Sequence, residues 1–282
     1  MKCRRIVSFL CAFVLCAACF CVVGAAQAEA SDKTILWSSE NGQAVIAGAK
    51  LDQYTTYIPV RAFFEMIDPE CSVAWDNDSR TVTVTLKGMV VTVTAGKPYI
   101  VANGRYLYTV EENYIEDGTM MCALRPAAKA CGLTVTWNQK TKTSGLEGNY
   151  SAILSGDSFY NENDLYWLSR IINSEAGIEE LIGQIAVGNV VLNRVKYKAW
   201  PDNIYDVIFD NRVCVQFTPT STGTIYREPS SSCVIAAKLA LDGADAAGES
   251  VYFVNESIAK TSWFSRNCTY VSTIGRHTFY AS

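Results

Sequence analysis

Histidine is almost missing from this chain: His277 is the only one. Beyond residue 28 no two cysteines stand at Cys-x-x-Cys spacing, and no His-rich or Met-rich run occurs. A zinc site or copper centre therefore has no ligand set in the sequence, and no metal or cofactor is expected. No Gly-x-Ser-x-Gly elbow and no phosphate-binding glycine loop is present, which removes the serine-hydrolase and nucleotide-binding signatures. Charge is sparse, at 18% of residues, and the balance is acidic, with 24 Lys and Arg against 28 Asp and Glu. Such a chain lacks the basic footprint that nucleic-acid binding requires.

What is present begins with "MKCRRIVSFLCAFVLCAACFCVVGAAQAEA". Lys2, Arg4 and Arg5 precede an apolar run from Ile6 to Val23, and small residues end in Ala26-Gln27-Ala28. This is the layout of a secretory signal peptide over residues 1–28, with cleavage after Ala28. The protein is then expected to be secreted. The length of the apolar run leaves an uncleaved membrane anchor as the lesser alternative. Cleavage removes three basic and no acidic residues. Five of the eleven cysteines go with the segment, leaving Cys71, Cys122, Cys131, Cys214, Cys233 and Cys268. Their pairing is open.

Residues 32–142 have the texture of short strands and turns. "RTVTVTLKGMVVTVTAGKP" alternates threonine with valine around Lys87-Gly88, the pattern of a half-buried hairpin. "YIPVRAFFEMIDPECSVAWDNDSRTVTVTL" and "MCALRPAAKACGLTVTWNQKTKTSGL" also repeat one another. Each has an arginine and short helix (Arg61, Arg125), a strand ending in tryptophan (Trp75, Trp137), a polar turn and a basic residue (Arg80, Lys142). Two copies of one strand–helix–strand unit predict a small duplicated α+β domain. It resembles the copper amine oxidase N-terminal domain, which implies a spacer or wall-contacting stalk and no catalysis. Residues 143–163 are rich in Gly, Ser and Asn and read as a linker ending in a helix cap near Asn163 or Asp164. A fragment from about residue 157 onward is expected to fold by itself.

Residues 164–282 open with helices. Leu165, Leu168, Ile171 and Ile172 mark the first, which Gly177 ends. Glu179 and Glu180 begin the second, whose Leu181, Ile185, Gly188, Leu192 and Val195 form one apolar stripe. A third runs through "SSCVIAAKLALDG", and the remainder reads as irregular with short strands. Glu175 follows Leu168, Ile171 and Ile172 by seven, four and three positions, so it emerges from the oily face of the first helix in its last turn. Burial and the negative helix end both favour its protonated form, as a general acid requires. The alternative is a glutamate that reaches solvent at the helix end.

"IINSEAGIEELIGQIAVGNVVLNRV", "WPDNIYDVIFD", "QFTPTSTGTI" and "YFVNESIAKTSWFSRNCTYVSTIGRHTFYA" follow in order, and together they resemble the SleB/CwlJ-type cell wall hydrolases of the spore-cortex-lytic family. The resemblance implies a mainly α, lysozyme-like catalytic domain behind the stalk. It also implies a peptidoglycan substrate from cell wall or spore cortex, and cleavage by lytic transglycosylation between N-acetylmuramic acid and N-acetylglucosamine. It places the catalytic acid at Glu175, with Glu179 and His277 as secondary candidates. For substrate contact the residue types point to Gln184, Asn193, Gln216, Phe217, Tyr252, Asn255 and Trp263, with backbone support or aromatic core as their alternative. Three other readings stay open: a muramidase or glucosaminidase using the same glutamate, a Cys233–His277 wall peptidase, and a non-catalytic wall-binding protein.

Overall fold

The computed structural model describes residues 33–39, 42–52, 54–255 and 263–282. The signal-like segment 1–28 lies outside them. Among the described residues no helix is long and apolar enough to cross a membrane.

The first half runs β1 (Lys33–Ser39), β2 (Gly42–Asp52), β3 (Thr55–Pro59), α1 (Val60–Ile67), β4 (Ser72–Asp76), β5 (Thr81–Leu86), β6 (Met89–Thr94), β7 (Tyr99–Ala102), β8 (Arg105–Tyr108), β9 (Tyr114–Glu116), β10 (Thr119–Ala123), α2 (Leu124–Ala130), β11 (Thr134–Asn138) and β12 (Thr143–Glu147). Two sheets result, with strand orders β11-β12-β1-β2-β3-β10-β9 and β4-β5-β6-β7-β8. The threonine–valine alternation becomes the β5–β6 hairpin, with Val82, Val84, Val91 and Val93 inward and Leu86 paired with Met89 across the turn. Gly88 takes the left-handed conformation that this two-residue turn needs. α1 buries Val60, Phe63, Phe64 and Ile67, one helical face, in the shared core.

The internal repeat has a shared turn chemistry. Asp76 Oδ1 accepts from the backbone N–H of Asp78 and Ser79, and Asn138 Oδ1 accepts from those of Lys140 and Thr141. Arg80 and Lys142 then both adopt left-handed φ, 51° and 54°. A side-chain oxygen that caps the turn and a residue that reverses the chain occupy matching places in both copies. Residues 143–147, where the Gly- and Ser-rich stretch begins, form β12 and pair with both β1 and β11.

The second half runs α3 (Gly156–Phe159), α4 (Glu162–Ala176), α5 (Leu181–Lys196), α6 (Ile204–Ile208), α7 (Thr218–Thr222), a 3-10 turn (Thr224–Tyr226), α8 (Ser231–Leu241), β13 (Tyr252–Val254), α9 (Trp263–Asn267), β14 (Thr269–Ile274) and β15 (His277–Ala281). The fold is thus α+β, strand-rich first and mainly helical after. The tail is more regular than its composition suggests, closing as an antiparallel sheet of order β13-β15-β14. The cap of α4 is Asn161, two or three residues before the expected position; its side chain accepts from the Asp164 N–H at 3.0 Å. Nor does α5 carry a single stripe. Every residue from Gly183 to Val191 is buried, while Leu192 and Val195 are only half so. The reason is its central position: α4, α6, α8, β13 and β14 all pack on it. Gly188 permits the closest of these approaches, since a Cβ there would lie 3.0 Å from Ile172 and 3.3 Å from Ala240.

Residues 31–282 form one compact unit, so the two halves are docked. Tyr99, Tyr106 and Tyr108 of β7 and β8 pack against the helical core. At the centre of the contact sits Asp242, the residue that ends α8, with its side chain 2% exposed. Arg105 grips it with two bonds, Nε to Oδ2 and Nη2 to Oδ1, both 2.8 Å. Lys129 Nζ donates to Oδ1 at 2.6 Å and to the Asp242 carbonyl at 2.8 Å. Nearby, Gly156 donates its N–H to the Asn103 carbonyl at 2.7 Å, in space that a side chain at 156 would fill.

Candidate active site

α4 and α5 lie side by side because both are apolar toward each other, and this brings Glu175 beside Arg194. The two residues line one cleft of ≈ 350 Å³ with Gln216, Phe217, Thr218, Phe253, Val254, Asn255 and His277. Glu175 is the only carboxylic acid among these lining residues. It is half-buried, and among the described residues no hydrogen bond or ion pair reaches its carboxylate. Burial holds its pKa above the ordinary glutamate value, and the Arg194 cation pulls back against that rise. The outcome is a carboxyl group inclined to keep its proton, with a positive charge close enough to stabilise it once the proton leaves.

Arg194 was not singled out from sequence. Its residue is 5% exposed. Nε donates to the Val251 carbonyl at 2.7 Å and Nη1 to Gln216 Oε1 at 3.4 Å. The guanidinium carbon stands 4.9, 5.4 and 5.7 Å from the ring centres of Phe217, Trp200 and Tyr252. Burial lowers its pKa to about 10, which still leaves it charged at neutral pH, with Tyr252, Asp210, Cys214 and Glu175 opposing the fall. The available signal was spacing: Arg194 falls three, four and seven positions after Val191, Val190 and Val187, on a face otherwise wholly apolar.

The other candidates divide. Gln216, Phe217, Asn255 and His277 do line the cleft with Glu175. Tyr252 and Trp263 are not among its lining residues; the Tyr252 ring lies 5.7 Å from the Arg194 guanidinium carbon and 6.4 Å from the ring of Trp263, itself 54% exposed. His277 is 7% exposed, edge-to-face with Phe253 at 5.2 Å, and its Nδ1 is buried with no hydrogen-bond partner among the described residues. Burial lowers its pKa, so it is neutral at pH 7; Glu179 opposes that shift and Arg276 adds to it.

Glu179, Gln184 and Asn193 line other places. Glu179 turns toward the β14–β15 turn, where Oε2 accepts from the Arg276 N–H at 3.2 Å and crowds Gly275. Glu179 and Glu180 also precede α5, whose first residue is Leu181. Gln184 is consumed within the fold, donating to the Glu179 carbonyl at 3.0 Å and accepting from Ser232 at 2.7 Å. Asn193 donates to the carbonyls of Gly248 and Ser250, at 2.7 and 3.0 Å, and so shapes the segment leading to β13. Cys233 is wholly buried in the helical core; burial raises its thiol pKa, although its place at a helix start predicts the reverse. A buried, protonated thiol outside the cleft is no nucleophile.

The family described as Cell Wall Hydrolase matches residues 178–280, a span that opens just after Glu175, and the Copper amine oxidase N-terminal domain matches residues 39–146. The chain thus carries a cell wall hydrolase domain, with a copper amine oxidase N-terminal-type domain ahead of it. Among its relatives is the spore cortex-lytic enzyme of Halalkalibacterium halodurans, 33% identical over 134 residues, which are 47% of this chain and 39% of that one. The spore cortex-lytic enzyme of Bacillus subtilis is 30% identical over 120 residues, 43% of this chain and 38% of that protein. The chain therefore spans well under half the length of these relatives. The solved catalytic domain of the germination-specific lytic transglycosylase SleB from Bacillus anthracis is 30% identical, with a TM-score of 0.40, covering 45% of this chain and 99% of that one.

Proposed function

We propose that this protein cleaves the glycan strands of peptidoglycan, with Glu175 as the single acid and base, by lytic transglycosylation. The observation that carries the reading is the cleft itself: one half-buried carboxyl group, held toward its protonated form, with no second carboxylate among the described lining residues. Ordinary glycosidases need two carboxyl groups, one as acid and one as base or nucleophile. One suffices when the substrate supplies the nucleophile. Glu175 gives its proton to the bridging oxygen between N-acetylmuramic acid and N-acetylglucosamine, and that bond breaks. The resulting carboxylate takes the proton of the muramic 6-hydroxyl as its oxygen closes onto the anomeric carbon. The acid is regenerated, no water is consumed, and the product is a 1,6-anhydro sugar.

The placement of Glu179 supports this over hydrolysis, since its carboxylate is engaged at the Arg276 turn and not in the cleft. Gln216, Asn255 and the rings of Phe217, Phe253 and Tyr252 are suited to amide groups and sugar faces. Relatives named spore cortex-lytic enzymes favour the spore cortex as the wall concerned, and export would bring the enzyme there. Mass spectrometry of the muropeptides released from purified peptidoglycan tests the mechanism. Anhydro-muramic ends are expected; reducing muramic ends without the anhydro form would establish hydrolysis and refute the one-carboxylate route.

A further inference from the structure

We propose that Arg194 is a positioning residue that acts through Glu175, its fixed cation stabilising the charge of the Glu175 carboxylate between the two proton transfers. This rests on the reading of Glu175 as acid and base. The geometry behind it is that of a built cation site. An arginine 5% exposed lies on the central helix and opens into the same cleft as Glu175, the only carboxyl group among its described lining residues. A buried cation is costly unless its fork is engaged and its charge answered. Here Nε and Nη1 are bonded, to Val251 and Gln216, while Nη2 has no partner among the described residues. Three aromatic faces surround the guanidinium and fix its plane. Such a cage holds a charge still without neutralising it.

The other titratable groups around it are already engaged or neutral. Asp210 is taken by Arg212 at 2.9 Å, and both Tyr252 and His277 are uncharged at neutral pH by the direction of their shifts. Cys214 makes its contact with the Gln216 amide, at 3.5 Å. Glu175 is thus the anion that this cation meets when the proton has gone. In the transition state the carboxylate is forming, so an interaction with the anion alone lowers the barrier without binding the ground state.

The test is an NMR titration that does not depend on turnover. The Arg194 Nε–H resonance of the wild-type protein is expected to shift with the midpoint of the Glu175 carboxyl, and to stop doing so in E175Q. In R194M and R194Q the Glu175 midpoint is expected to rise by about one pH unit, because a nearby cation is lost. The alkaline limb of the cleavage rate should move up with it, and R194K should restore both in part. A flat Nε–H resonance across the Glu175 titration overturns the proposal even if the Arg194 variants do not fold. So does an unmoved Glu175 midpoint in a folded R194M. Coupled titration in a protein that cleaves no peptidoglycan would instead fail only the functional reading.

Discussion

Glu175→Gln is expected to reduce cleavage of purified peptidoglycan by at least the ~10²–10⁴-fold that general acid catalysis contributes, with the fold intact. The amide keeps the shape of the carboxylic acid and removes the transferable proton. No described group hydrogen-bonds to the carboxylate, so the exchange strands no partner. Stability gives an independent signature. A glutamate whose pKa is raised by folding opposes folding at pH values above its folded pKa, where it must ionise in a half-buried cleft. Below its unfolded pKa that penalty is absent, because both states are protonated. E175Q should therefore melt at or above the wild-type temperature at neutral pH, and the difference should vanish on acidification through the range between the two pKa values. Turbidity loss of cell walls near the wild-type rate, or a variant markedly less stable at pH 7, would contradict the assignment.

The second large effect belongs to the contact between the halves. Arg105→Met removes the two-bond partner of Asp242 and leaves a carboxylate only 2% exposed with Lys129 as its one cation. Breaking a buried pair on one side costs about 3–5 kcal/mol. In a chain of this size that corresponds to a fall in Tm of roughly 10 °C. Arg61→Met, which severs an exposed pair with Glu65 at 3.2 Å, should change stability by less than about 1 kcal/mol. Replacing both partners, R105M with D242L, should recover much of the loss, since no unpaired charge stays behind. Differential scanning calorimetry of the four proteins decides it. Equal Tm values for R105M and R61M would show that the domain contact carries no stability. The same contact bears on fragments. A piece beginning near residue 157 loses Arg105, Lys129 and the three tyrosines packed on the helical core, so it should be less stable and less soluble than the docked protein.

Much of the candidate site was legible in the chain, for definite reasons. Glu175 broke a helical apolar pattern, and a carboxylate at a core position is conspicuous at any resolution of reading. Gln216, Phe217, Asn255 and His277 were recognisable from the family-like motifs around them, and they do share its cleft. Arg194 escaped because the adjacent stripe of Leu181, Ile185 and Gly188 looked sufficient, although its spacing from Val187 and Val190 was in view. Gln184 and Asn193 were misleading because an amide that braces a backbone carbonyl and one that binds an N-acetyl group have the same letters.

By itself the sequence determined what depends on near neighbours: the β5–β6 hairpin, the duplicated turns at Asp76 and Asn138, the oily faces of α1 and α4, and the carboxylate on the latter. Periodicity and turn chemistry act over a few residues and can be read there. Only the tertiary structure decided that α5 is buried nearly all round, that Arg194 stands beside Glu175, that Glu179 faces away, and that Asp242 joins the two halves. Each of these is a meeting of segments far apart in the chain; Arg105 and Asp242 are 137 residues apart. Whether a buried charge is stranded, paired or catalytic depends on that meeting, because in a poorly solvated interior the partner sets the energy of the charge.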